Sequence, residues 1–379
     1  MDLLPATYFL TQEKNVHNKV PFFIEKEHMI LHLASLTKIR QIRKLNIENV
    51  AYSINHYLKE YEKEKIVFAD QSESFAADFL IAVNNIITTL INEYNYNIDK
   101  FIIVTGALPV KENIIKYKEL CEINNWHRCA IRFINSFETM VKQHIDYSYI
   151  DDAKKSHLFL FLNGKMRLDR IYFLLNLEKN NLLDKCLYSL FANKDELKNF
   201  TSIQKFWIKI KHLIPLIDQI EAPKYLTLVP NNGNYPAPFL KKDADIFKST
   251  YISLISETVF FKYLNAKNND IYHPHLDGIF LTEKTYRAIA YRHPFIMASR
   301  PHTLTALKDM GYKTFEPYID ESYDSIEDDY ERLNCILELV TTLCQKDDTF
   351  WIKFYKDTRH IVDHNFQMLR SSEHTILNS

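Results

Sequence analysis

Short runs of β-branched and aromatic residues alternate along this chain with stretches whose apolar residues recur at helical spacing, and this alternation constrains the fold most. In the first part "KIVFAD" (65–70), "KFIIVTGALP" (100–109) and "RCAIRFIN" (128–135) read as strands. In the second part "HLFLFLN" (157–163), "KYLTLVP" (224–230), "STYISLIS" (249–256), "DGIFL" (277–281), "PFIMAS" (294–299) and "YKTF" (312–315) do the same. "RLDRIYFLLNLEKNNLLDK", which starts at Arg167, is helical by its spaced Leu, Ile and Phe. Alternating βα units predict an α/β protein with parallel sheets and right-handed crossovers. From about Tyr330 the pattern becomes helical and amphipathic, with Trp351 and Phe354 as anchors onto the body.

At 379 residues the chain exceeds one comfortable core. The polar stretch "YSYIDDAKKS" (147–156) reads as a linker, so the expected division is an N-terminal α/β domain over 1–150, a second over 151–335 and C-terminal helices over 336–379. Net charge is −1, which argues against binding nucleic acid through bulk electrostatics, and no RNP-like motif accompanies the 25 Phe and 23 Tyr. Most of these aromatics are expected in the core. Cys121, Cys129, Cys186, Cys335 and Cys344 form no CxxC pair and read as reduced interior residues. The start "MDLLPATYFLTQEK" lacks a basic n-region, and no stretch reaches the length of a membrane span. A cytoplasmic protein is expected, with peripheral membrane contact left open.

Glycine is scarce, at five residues, and neither GxGxxG nor a P-loop is present. Any phosphate must therefore be held by other means. In "FLTEKTYRAIAYRHPFIM" (280–297) a strand leads to Thr282 as N-cap, and a helix then runs to the residues before Pro294. Glu283 and Lys284 occupy its first turn. The helix N-terminus and the Lys284 charge suit a phosphate, while Glu283 suits ribose hydroxyls, so the two charges are expected to serve one ligand rather than each other. The plain alternative is a capped helix with ordinary first-turn charges. A second basic helix start, "NGKMRLDR", carries Lys165, Arg167 and Arg170. Arg167 and Arg170 are three apart and can share a helix face toward one diphosphate, or can form a solvated helix start paired with Asp169. A third strand end, "YISLISET", presents Ser256, Glu257 and Thr258, of which Glu257 can line a ligand crevice or cap the next helix.

These residues carry a resemblance. "LTEK" followed by a helix and "PFI", preceded by "YISLISET", resembles the donor-binding half of α1,3-fucosyltransferase-type enzymes. The wider region from about residue 156 to 335 is similar to glycosyltransferase-like proteins of bacteria and large viruses. Thr258 stands where the fucosyltransferase pattern has Asn. The resemblance implies two Rossmann-like domains (GT-B), with the nucleotide sugar held by the C-terminal one. It implies donor binding by Lys165, Arg167, Arg170, Glu257, Thr258, Thr282, Glu283 and Lys284, with Glu283 on the ribose and Lys284 on the diphosphate. It also implies an inverting, metal-independent transfer to a hydroxyl on a glycan or other acceptor, with no cofactor beyond the donor. A carboxylate must deprotonate that hydroxyl, and Asp70 and Glu73 in "VFADQSESF" are the candidates; the plain alternative for both is a solvated loop with a helix N-cap.

Three other patterns are set aside. His273, His275 and Asp277 in "YHPHLDG" surround a proline in an extended segment and lack a third ligand at usual spacing. The acids of "IDESYDSIEDDYE" (319–331) invite a glycosidase reading but fit a solvated connection. A kinase is disfavoured by the missing glycine loop. The alternative from another class is a non-catalytic nucleotide- or glycan-binding protein with the same fold.

Overall fold

The structure is a computed structural model and describes residues 14–15, 21–25, 28–32, 47–61, 65–70, 77–106, 111–133, 137–138, 141, 154–163, 167–189, 239–261 and 279–371. It is a mixed α/β protein that divides into two compact units. The first comprises Met1–Thr139, Asn269–Phe280 and Glu373–Ser379; the second comprises Met140–Asn268 and Leu281–Ser372.

The first unit is built on a six-stranded sheet whose strands lie in chain order: β1 (Lys14–Asn15), β2 (Pro21–Glu25), β3 (His28–His32), β4 (Lys65–Asp70), β5 (Phe101–Thr105) and β6 (Ala130–Phe133). β1, β2 and β3 pair antiparallel, and β3 through β6 pair parallel. The three strands expected here are β4, β5 and β6. The antiparallel β1–β3 edge was not anticipated. Every position of β5 is buried, as a central parallel strand covered on both faces requires. Register aligns Ile66 with Phe101, Phe68 with Ile103, and Ile103 with Ile131, so these side chains share one face. Three helices supply the apolar cover for that core: α1 (Ile47–Tyr61) through Val50, Ala51 and Ile54, α2 (Ala77–Tyr94) through Leu80, Val83, Ile87 and Leu90, and α3 (Lys111–Ile123) through Tyr117 and Cys121. The spacings of three, four and seven are those of one helical stripe. Each such Leu or Ile contributes about 1.5–3 kcal/mol on full burial.

The second unit holds a four-stranded, all-parallel sheet in the order β10-β9-β7-β8, from β7 (His157–Phe161), β8 (Cys186–Tyr188), β9 (Thr250–Ser256) and β10 (Phe295–Ala298). Around it lie α4 (Leu168–Lys179), α5 (Phe239–Lys248), α6 (Glu283–Ala290), α7 (Thr303–Asp309), α8 (Asp329–Cys344), α9 (Asp348–Asp357) and α10 (Arg359–Ser371). The expected C-terminal helices are present, and Trp351 and Phe354 are buried. Trp351 stacks on Tyr251 with ring centroids 5.5 Å apart and meets Phe159 edge-on at 5.8 Å, tying α9 to β9 and β7. Among the described residues no helix is long and apolar enough to cross a membrane.

Some expected elements differ. "YKTF" is not a strand. After α7, Gly311 takes a positive φ of 90° and the chain turns back, with Tyr312 N donating to Leu307 O. The backbone groups that follow are satisfied by side chains: Lys313 N donates to Asn365 Oδ1 at 2.7 Å, and Phe315 N to Glu321 Oε1 at 2.7 Å. With its donors spent this way, the segment has no ladder to join. "DGIFL" contributes only a bridge at Ile279 among its described residues. The helix from Arg167 ends at Lys179, and β8, which follows the short 3₁₀ turn Leu183–Lys185, was not anticipated. "KYLTLVP" and most of the expected linker lie outside the described residues.

Candidate functional site

β8 lies on one side of β7, and when the chain returns through α5 it places β9 on the other side, with β10 beyond. Among the described strands the order therefore reverses between β7 and β9. In open parallel sheets the crevice outside the carboxyl ends at such a reversal is where ligands are held. The residues there form one buried polar network.

Glu257 follows β9 directly, and its N–H donates to Ala298 O at 2.9 Å, which fixes its backbone against β10. Its side chain is fully buried. Oε1 accepts from Thr282 N at 3.0 Å and from Thr285 Oγ1 at 2.5 Å; Oε2 accepts from Thr282 Oγ1 at 2.6 Å and from Lys284 Nζ at 3.5 Å. A buried carboxylate without partners would cost several kcal/mol. Burial on its own raises the Glu257 pKa, but the Lys284 ammonium and the hydrogen bonds from Thr282 and Thr285 outweigh it, and the net shift is downward. Glu257 is thus an ionised cap for the start of α6, the alternative raised for it from sequence.

Thr282 is the N-cap of α6, as expected, accepting from Lys284 N at 3.4 Å. Lys284 curls back over this cap. Its Nζ donates to Thr282 Oγ1 at 2.7 Å and to Thr258 Oγ1 at 3.4 Å, and it lies 3.6 Å from Glu283 Oε1. The adjacent acid and base therefore meet each other, where the sequence led us to expect that they would serve one ligand rather than each other. Both sit in the first turn, and Glu257, distant in sequence, pulls the ammonium toward the strand end.

The second basic helix start reaches the same place. Arg167 is the N-cap of α4, extended and half-buried, with no side-chain cap bond. Arg170 does not share its exposure. It is 2% exposed, donating from Nε to Ser256 Oγ at 3.0 Å and from Nη2 to the carbonyls of Ser256 (3.1 Å) and Glu257 (3.4 Å). Asp169, also buried, accepts from Ser256 Oγ. Burial lowers the Arg170 pKa, while Asp169, Glu257 and Glu283 act to raise it and Arg167 to lower it. Those charges lie close enough to be felt together.

The structure therefore gathers Arg167, Arg170, Glu257, Thr258, Thr282, Glu283 and Lys284 at one sheet edge. Asp70 closes β4, in register with Thr105. Lys165, Glu73, His273, His275 and Asp277 lie outside the described residues. Sequence reasoning missed Thr285, whose placement three residues after the N-cap was the available signal. It also missed Asn163 and Ser189, which join the ends of β7 and β8 through Asn163 N donating to Ser189 Oγ at 2.8 Å. Among the described residues no group of His, Cys, Asp and Glu is arranged to hold a metal ion.

The acids of 319–331 are not simply a solvated connection. Asp324 is 9% exposed and caps α7, accepting from Leu304 N at 2.9 Å and Thr305 N at 3.0 Å. Glu321 is buried on Phe315 N, and Asp328 caps α8. Glu321 and Asp324 take backbone donors in buried or part-buried turns, whereas Asp328 caps the start of α8 at the exposed surface. Comparison with known protein families and with curated proteins finds no match to this chain.

Proposed function

We propose that this protein is a glycosyltransferase that moves a sugar from a nucleotide-sugar donor to a hydroxyl acceptor, with two Rossmann-like domains of the GT-B kind. The observation that carries this reading is the position of Lys284: its ammonium is held 2.7 Å from Thr282 Oγ1 at the β7/β9 reversal and pairs with Glu257, whose carbonyl accepts from Arg170. A leaving nucleoside diphosphate needs fixed positive charge where its own negative charge develops. Lys284 and Arg167, both partly exposed, supply it, while Arg170 and Glu257 hold the strand end and helix start that aim them. Glu283, at 25% side-chain exposure, accepts from ribose hydroxyls in this reading. Cationic side chains doing this work make the transfer metal-independent.

In this scheme the acceptor oxygen attacks the anomeric carbon and gives its proton to a carboxylate, for which Asp70 and Glu73 are the candidates. The new C–O bond forms as the bond to the diphosphate breaks, with inversion at carbon. A cytoplasmic location belongs to the same proposal. A non-catalytic nucleotide- or glycan-binding protein is the second reading, favoured by one observation: the acids and bases at the sheet edge already neutralise each other.

Turnover separates the two. Wild-type protein is incubated with a panel of nucleotide sugars, and release of nucleoside diphosphate is measured alongside thermal stabilisation by the same ligands. The expected result is stabilisation and turnover by one donor class, both lost in Lys284→Ala, whose retained fold is checked by circular dichroism. Stabilisation without turnover selects the binding protein; the absence of both removes the reading.

A further inference from the structure

We propose that Arg292 and Arg359 build a phosphate-binding site at the amino edge of the second unit's sheet, at the other end of the strands from Lys284 and independent of the function read there. Helix α6 ends at Ala290, and Pro294 leads into β10. Between them Arg292 has a φ of 51°, the left-handed region where a helix end usually has glycine or asparagine. An arginine there accepts backbone strain and holds its guanidinium at the turn. The start of α10 lies against it: Arg292, Pro294, Tyr355, Thr358, Arg359 and Val362 line one cleft, with about 230 Å³ of empty space that is partly open to solvent. Lys155, which precedes β7, adds a third cation behind this wall, its ammonium 4.8 Å from the centroid of the Tyr355 ring.

The charges are unequal. Arg292 Nε lies 3.4 Å from Asp363 Oδ1 and Arg359 Nε lies 3.5 Å from Asp363 Oδ2, so two guanidinium groups share one carboxylate. Arg292 Nε is closed to solvent and makes no hydrogen bond among the described residues, which leaves Asp363 as an ion pair alone. The Phe366 ring lies under the same guanidinium at 4.1 Å and fixes its plane. A planar fork held flat, with an N–H still to be satisfied, is preorganised for an oxyanion. Asp363 already supplies what a lone carboxylate can. A phosphate brings a third oxygen and a second charge, enough to bridge both arginines, and the first turn of α10 favours that charge through its dipole. Pro294, Tyr355 and Val362 give the group that carries the phosphate an apolar wall.

Titration calorimetry with inorganic phosphate, phenyl phosphate and acetate tests the site in wild type, Arg359→Gln, Arg292→Gln, Asp363→Asn and Lys284→Ala. Wild type is expected to bind phosphate more tightly than acetate, with an affinity that falls as salt rises. Each arginine variant should lose about tenfold in phosphate affinity, Asp363→Asn should gain because the competing carboxylate is gone, and Lys284→Ala should match wild type. Tighter binding of phenyl phosphate than of inorganic phosphate identifies an organic phosphate as the ligand; equal binding identifies the free ion. Arg359 is partly exposed, so its variant reads the site even where Arg292→Gln unsettles the turn, and the gain in Asp363→Asn is one that loss of structure does not imitate. Phosphate binding that survives both arginine substitutions, or that is absent from wild type and Asp363→Asn alike, overturns the site. Neither result touches donor turnover at Lys284.

Discussion

His293 shows how far burial reshapes a single side chain. It precedes β10 and is 1% exposed. Nε2 lies 2.9 Å from Thr250 O, to which it can only donate, and Nδ1 lies 2.8 Å from Ser253 Oγ, a hydroxyl able to donate or accept. Burial, with the nearby Lys155 charge adding to it, lowers the His293 pKa from 6.5 to about 4 and so favours the neutral imidazole. Between those values the unfolded chain binds a proton that the folded chain refuses, so stability falls as pH drops from 6.5 toward 4. The loss is on the order of 3 kcal/mol. Glu257 acts in the same direction but lower. Its depressed folded pKa contributes stability that is complete above its unfolded value and lost as pH falls below it. Urea titrations at pH 7, 5.5 and 4.5 should show the decline, and His293→Gln should flatten the upper part of it. An equal slope in that variant would assign the acid sensitivity elsewhere. None of this was visible in "YRHPF", where the histidine has no partner in sequence.

At the scale of elements, Arg332 is the tie that matters most. From the first turn of α8 its guanidinium reaches three carbonyls, Ser299 O after β10 at 3.0 Å, Ile326 O at 2.8 Å and Phe260 O after β9 at 3.0 Å. It also pairs with Asp329 at 2.6 Å and covers the Phe260 ring at 4.5 Å. Helix α8, the end of β10 and the segment after β9 are thus joined through one buried planar cation. Arg332→Ala removes this donor from the three carbonyls and from Asp329, and a loss of about 3–5 kcal/mol is expected in the second unit's unfolding. Arg332→Lys should recover little, because an ammonium cannot span the three acceptors. A calorimetric melt of both variants checks it, and a change below about 1 kcal/mol would show that the carbonyls find other donors. Elements whose own hydrogen bonds and apolar period define them were legible in the sequence: β4, β5, β7, β9, β10 and the helix after Thr282. "YKTF" was misread because its strand-like composition says nothing of Asn365 and Glu321, which take its backbone groups from elsewhere in the chain.

The second unit as a whole depends on its C-terminal helices. Trp351 of α9 fills the space against Phe159 and Tyr251, Phe354 is buried beside it, and α10 packs along α6. A chain ending after Gln345 removes α9 and α10 and bares these aromatic faces together with the helix that carries Lys284. We expect that truncation to lose cooperative thermal unfolding and to bind a hydrophobic dye, whereas a cooperative melt near the wild-type temperature would show the sheet to be self-sufficient. The α/β class, the parallel strands, the helical C-terminus and the concentration of charge at two helix starts were all readable in the amino-acid order, because short-range periodicity and capping chemistry act over a few residues. Folding in three dimensions settled which of those charges is exposed. Arg167 and Arg170 sit three apart on one helix, yet one meets solvent while the other is spent on Ser256 and Glu257. Glu283 and Lys284 are neighbours in every reading, but the carboxylate that turns the lysine back comes from 27 positions away, Glu257 to Lys284. Burial and long-range hydrogen bonding divide like residues into scaffold and contact, and neither is written in local sequence.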